Sequence, residues 1–214
     1  MAFLFNNARV RTLGSAALDV AAAASRKHPC VVYWMNRDMR AEDNWALLHA
    51  HRLAEAAAAR GPAGGTVPVV VCYHLPRDPV AAGAQAAGTA TERQYAFLLG
   101  GLRACAGDLH AKHYPFHLLG PSDAAPEAAL PAFLADTLGG NALALVTDMS
   151  PLRAPLRAAR AVADAVNARC GIPVYQVDAH NVVPVWAASP KREYAARTIR
   201  PKLNRLLPTP VLQT

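Results

Sequence analysis

Five runs along the chain are short, apolar and rich in β-branched residues: 30–35, 66–73, 115–119, 142–147 and 174–177. Each has the length of a strand. Between them, residues 43–60, 91–112, 126–138 and 155–170 have helical character. Strands alternating with helices predict βαβ units and a mostly parallel sheet. Right-handed crossovers then force helices onto both faces. The expected fold is α/β: a five-stranded parallel sheet in the order 3-2-1-4-5, the strands being numbered among themselves. The run at 31–35 is apolar without interruption, which suits a strand covered on both faces and flanked on both sides.

Breakers separate these segments. Gly61-Pro62-Ala63-Gly64-Gly65 ends the first helix, Gly139-Gly140-Asn141 the third and Gly171-Ile172-Pro173 the fourth. A glycine just past the last helical residue suits the left-handed turn that closes many helices. Residues 74–90, with Pro76, Pro79, Gly83 and Gly88, read as a long loop of the kind that often carries function. After residue 177 the pattern becomes irregular, then basic and amphipathic up to Pro208-Thr209-Pro210. The expected organisation is an N-terminal extension over residues 1–29, the α/β domain over 30–187 and a basic connector over 188–214.

Composition supports a packed core: 53% of residues are hydrophobic and 17% charged. No window of about 18 strongly apolar residues offers a membrane span. The net charge of +7, with a pI near 9.6, raises the prospect of a polyanionic partner. The positive charge is uneven. Arg153, Arg157 and Arg160 share one helical segment, and Lys191, Arg192, Arg197, Arg200, Lys202 and Arg205 crowd the C-terminal stretch.

Cys30, Cys72, Cys105 and Cys170 lie far apart with no C-x-x-C pair, so neither a zinc site nor a disulfide scaffold is expected. His49 and His51 sit two apart and face different sides of a helix; His110, His113 and His117 lack a fourth ligand. No metal site and no catalytic cluster are expected. Asp178-Ala179-His180-Asn181 has no nucleophile or metal spacing beside it and reads as fixing the exit of the chain.

Four blocks carry a resemblance. The first is Val31-Val32-Tyr33-Trp34-Met35-Asn36-Arg37-Asp38-Met39-Arg40, followed by Asp43-Asn44-Trp45-Ala46-Leu47. The second is Ala90-Thr91-Glu92-Arg93-Gln94-Tyr95-Ala96-Phe97-Leu98-Leu99-Gly100-Gly101-Leu102. The third is Asp148-Met149-Ser150-Pro151-Leu152-Arg153. The fourth runs from Gln176-Val177-Asp178-Ala179-His180-Asn181 through Trp186 to Arg200. In order and spacing they resemble the class II cyclobutane pyrimidine dimer photolyases, of the photolyase/cryptochrome family. Asn36, Met39, Gln94, Leu99 and Met149 depart from the residues usual in that pattern. The N-terminal stretch is alanine-rich and poor in acids, as transit peptides are. Asn7-Ala8-Arg9-Val10-Arg11-Thr12-Leu13 also resembles the arginine-bearing segment that the family carries ahead of its first strand, which is the preferred reading.

The resemblance implies a Rossmann-like N-terminal antenna domain, deazaflavin or folate being the possible antenna. It implies a separate helical domain that holds FAD and repairs damaged DNA with light. On that reading this chain ends where the helical domain should begin, so FAD and DNA belong to a full-length parent. The chain alone is expected to be inactive and monomeric, with the helical flavin domain as its partner and no membrane attachment.

Open α/β sheets bind ligands where loops leave the carboxyl ends of neighbouring strands. The cofactor-binding candidates are therefore Trp34, Asn36, Arg37 and Asp38 after the first strand, and Asp148, Ser150 and Arg153 after the fourth. Each also has a plainer reading: Trp34 as core, Asp38 as an ion-pair or capping group, Asp148 and Ser150 as turn-formers. The competing function is a nucleotide-binding domain of the adenine-nucleotide or electron-transfer-flavoprotein type, which would want a glycine-rich loop after a strand; Gly61–Gly65 precedes one instead. A third reading is a basic interaction module acting through residues 191–205.

Overall fold

A computed structural model describes residues 6–19, 26–60, 65–76, 91–122 and 124–207. Most of the anticipated 74–90 loop, the Gly61-Pro62-Ala63-Gly64 breaker and the closing Pro208-Thr209-Pro210 lie outside the described residues. A 3-10 turn at Asn7–Arg9 leads into strand β1 (Val10–Leu13). Then follow β2 (Cys30–Met35), helix α1 (Trp45–Ala58), β3 (Val69–Pro76), α2 (Glu92–Ala111), β4 (Phe116–Ser122) and α3 (Pro126–Ala132). A π-helical turn at Phe133–Thr137 extends α3. The chain closes with β5 (Ala142–Asp148), α4 (Arg153–Cys170), β6 (Val174–Val177), the short α5 (Val185–Ala188) and α6 (Ala196–Leu206).

The sheet has six strands in the order β1-β6-β5-β2-β3-β4. The expected five-stranded, wholly parallel sheet in the order 3-2-1-4-5 is thereby corrected. β1 adds an antiparallel edge, with Val10 opposite Val177 and Leu13 opposite Val174. Its four residues are too few to show the alternation of a strand, and two of them, Arg11 and Thr12, are polar. The pairing supplies what the pattern does not: Arg11 donates to the Gln176 Oε1 across the ladder at 2.9 and 2.5 Å.

β2 lies between β5 and β3, parallel to both. All six of its residues are buried. Period-two alternation divides them between two cores. Cys30, Val32 and Trp34 pack with Leu130, Phe133, Val162 and Val166 of the α3–α4 side. Val31, Tyr33 and Met35 pack with Leu47, Ala50, Cys105 and Leu109 of the α1–α2 side. Each fully buried aliphatic side chain contributes roughly 1.5–3 kcal/mol.

The helices begin where local chemistry tells them to. Asn44 caps α1, its Oδ1 accepting from the Ala46 and Leu47 amides at 3.0 Å. Thr91 and Gln94 form a reciprocal capping box at α2. Gly14, at φ +84°, turns the chain after β1 so closely over α4 that a Cβ there would come within 2.8 Å of Asn167 Nδ2. Asn167 accepts from the Ala16 amide, which binds that turn to the helix.

Candidate functional site

The carboxyl ends of β2 and β5 are adjacent, and Asp148 is the last residue of β5. Its carboxylate is 1% exposed and turns toward the β2 loop. Oδ1 accepts from the Arg37 amide at 2.9 Å. Oδ2 accepts from the Asn36 and Asp38 amides at 3.1 Å and from the Tyr33 hydroxyl at 3.0 Å. Three consecutive backbone N–H groups thus wrap one buried anion, which fixes the loop on the end of the neighbouring strand. Burial, and after it the Asp148 charge, push the Tyr33 phenol well above its ordinary pKa. Asn44 completes the network, donating to Tyr33 Oη and to the Asp38 and Arg40 carbonyls at 3.0–3.1 Å while it caps α1.

Asp38 turns away from this nest. Its Oδ1 lies 2.7 Å from His180 Nδ1 and 3.9 Å from the Arg40 guanidinium. Burial, then the nearby Asp148 carboxylate, raise its pKa, and His180 opposes them. His180 belongs to the segment after β6, which has its own clasp. Asp178 accepts from the His180, Asn181 and Val185 amides and from the Asn181 side chain. The buried Arg9 guanidinium donates to the carbonyls of Asp178, Asn181 and Val182, and lies 4.3 Å from the Trp45 ring centre. The N-terminal turn, the start of α1 and the exit segment therefore share one buried arginine.

The structure divides the expected site residues. Trp34 is 4% exposed and points into the α3–α4 core, on the face opposite Tyr33. Asp38 and Asp148 are buried and occupied by internal partners. Ser150 is buried, its Oγ accepting from the Leu152 amide at 3.4 Å. Asn36 is half-buried, whereas Arg37 and Arg153, the first residue of α4, are exposed at the rim. Tyr33 is not among the residues the sequence singles out, although its place next to Trp34 on a strand puts it on the other face. Nor does the sequence single out Arg9 as a clamp, for which no local signal exists. Among the described residues no group of three or more His, Cys, Asp or Glu side chains is placed to hold a metal ion. No helix there is long and apolar enough to cross a membrane.

A family model described as DNA photolyase matches residues 31–212, a range that includes β2, β5 and the loops after them. The chain belongs to the DNA photolyase family. It is 45% identical over 181 residues to a deoxyribodipyrimidine photo-lyase of Oryza sativa subsp. japonica, covering 83% of this chain and 31% of the relative. The corresponding protein of Potorous tridactylus is 39% identical over 207 residues, covering 96% and 33%. That of Methanothermobacter thermautotrophicus is 32% identical over 177 residues, covering 83% and 34%. The chain spans about a third of the length of these relatives. It corresponds to the N-terminal α/β domain of the photolyase family, and the Asp148 nest is the internal fastening of that domain's central loops.

Proposed function

We propose that this chain is the antenna-chromophore-binding domain of a class II deoxyribodipyrimidine photo-lyase. In the full-length parent, a helical domain would hold FAD and repair cyclobutane dimers in damaged DNA. The class rests on the four sequence blocks. The binding role rests on one observation above all, the clamping of the β2 loop by Asp148. Energy transfer asks the protein only to hold a dye still, at a fixed place and out of water; no acid or base chemistry is needed.

The residues present suit a planar dye with acidic or carbonyl oxygens, such as a deazaflavin or a folate. Arg37 and Arg153 are exposed on the two rims, and among the described residues neither closes a salt bridge. Asn36 and Ser150 supply neutral polar groups between them. Trp34, which points into the α3–α4 core, would steady the strand that carries the loop without touching the dye. Asp38 and Asp148 act on the ligand indirectly, by holding the backbone that presents Asn36 and Arg37. When bound, the dye would supply light absorption and nothing else.

The test is a titration of the chain with a deazaflavin and with a reduced folate, followed by chromophore fluorescence. One of the two is expected to bind with one-to-one stoichiometry. Arg37→Ala or Arg153→Ala should weaken it by roughly 1–3 kcal/mol, the range for a charge-assisted hydrogen bond. Unchanged affinity in both variants would remove the dye from this junction.

A further inference from the structure

One face of α4 carries a row of arginines of which the proposed dye site would use only the first, Arg153. Arg153, Arg157 and Arg160 follow the i, i+4, i+7 spacing of a single helical stripe. All three are exposed. The opposite stripe, Ala159, Val162, Ala163 and Val166, is buried against the sheet, so the arginines face away from the domain. Among the described residues none of the three closes an ion pair. Asp164, one turn beyond Arg160, ends the row.

A fourth guanidinium extends the patch sideways. Arg11, on the edge strand β1, is close enough to Arg160 for their like charges to repel. It is held there by Gln176 and by the Trp186 ring, whose centre is 4.7 Å away, and among the described residues no acid closes an ion pair with it. Asp164 is the one acid a turn away and closes no ion pair with the row; like charges crowded in this way are unfavourable alone and become favourable once an anion lies between them. The stripe from Arg153 to Arg160 is about 10.5 Å long at 1.5 Å per residue. One DNA strand presents about three phosphates over such a length. Guanidinium forks match phosphate oxygens two at a time, which a solvating ammonium does not do.

We infer that the α4 stripe, with Arg11 beside it, is a contact surface for the phosphate backbone of duplex DNA, independent of base sequence and of damage. It would hold undamaged duplex by charge alone, so its signature is the salt dependence of binding.

The experiment uses the whole chain and a fluorescein-labelled, undamaged duplex of about 20 base pairs, the helical length needed to cover the patch several times over. Anisotropy is recorded across a salt series. The wild-type chain should bind at low salt, with log K falling linearly against log salt. Arg157→Gln/Arg160→Gln should make that slope shallower by about 1.8, two contacts at about 0.9 each. Arg157→Lys/Arg160→Lys keeps the charge and should keep the slope. Arg153 is left intact so that dye binding and DNA binding are read separately. Absence of binding at the lowest salt, or an unchanged slope in the glutamine variant, would overturn the inference. So would loss of the slope in Arg197→Gln/Arg200→Gln, which would move the contact to α6. Equal competition by polyglutamate at matched charge would also overturn it, since an acidic polypeptide would then serve as well.

Discussion

Asp38 and His180 meet across the end of β5, with 2.7 Å between Oδ1 and Nδ1. The first follows β2 and the second follows β6, two strands away, so their contact bridges over Asp148. The Asp38 side chain is 3% exposed and that of His180 30%. Removing the imidazole by His180→Ala leaves a buried carboxylate with Arg40, at 3.9 Å, and the more distant charge of Arg37 to balance it. Breaking a buried pair costs about 3–5 kcal/mol; partial exposure of His180 reduces this to about 1–3. The sign with pH follows from the raised pKa of Asp38. A raised folded-state value means that stability is greatest below the ordinary aspartate value of about 4 and is lost as pH rises through the folded value. The variant should therefore be hurt more at pH 7 than near pH 4. Urea unfolding of both proteins at the two values checks this; an equal difference at both would sink it. In Asp38→Asn/His180→Ala the loss should be smaller than the sum of the single losses.

Asp148→Asn tests the nest. The amide keeps the shape but turns an N–H group toward backbone donors, and it removes the charge that three amides and Tyr33 share. Hydrogen bonds to charged groups contribute roughly 1.5–3 kcal/mol apiece and are not additive. A loss on the order of 3 kcal/mol is expected, with faster hydrogen exchange at the Asn36, Arg37 and Asp38 amides. Wild-type exchange at those three amides would show that Asp148 does not hold the loop.

How much of this was readable beforehand depends on the distance over which each signal acts. β2 shows its full extent in sequence because every one of its positions is buried. The apolar run at 66–73 predicts a strand that in fact begins at Val69, because Pro68 has no N–H to give to a ladder and serves through its carbonyl, which accepts from Val31. β1 was hidden by its length and by Arg11 and Thr12. Asp148 stood out as a strand-end acid, but its partners are backbone amides 110–112 residues away, which no residue type announces. His180 reaches Asp38 only because of the strand order. Asn44, by contrast, was legible as a cap from its place just before an apolar run.

Arg9 joins three parts of the chain through its side chain, beside the bond its carbonyl accepts from the Asp178 amide. It donates to the carbonyls of Asn181 at 2.6 Å, Val182 at 2.7 Å and Asp178 at 3.2 Å. Lysine can neither fork between carbonyls nor lie flat on Trp45 in the same way. Arg9→Lys should therefore behave more like Arg9→Ala than like wild type, each costing about 2–4 kcal/mol for lost charged hydrogen bonds and a buried cation–π contact. The loss should be local first, as faster amide exchange at Asn181 and Val185, which Asp178 holds. Retention of wild-type exchange in Arg9→Lys would mean that charge, and not the fork, fastens the exit segment.

His49 is expected to weaken the domain as pH falls. It is 8% exposed on α1, with its ring edge-on to Tyr175 at 5.4 Å. Burial, helped by the Arg52 charge, pulls its pKa down to about 4 from an ordinary 6.5. A histidine with a depressed folded value contributes stability that is present above the unfolded value and is lost as pH falls through the folded one. The window here runs from about 6.5 to about 4, and the loss across it is on the order of 3 kcal/mol. Asp38 works in the opposite direction, so the two partly offset each other in the wild-type curve and must be separated by substitution. His49→Phe keeps an aromatic ring against Tyr175 and removes the titration. Its unfolding free energy should fall less than that of the wild type between pH 6.5 and pH 4, the two curves converging or crossing at the acid end. Curves that stay parallel across that interval would show that the His49 proton is not what acid takes hold of.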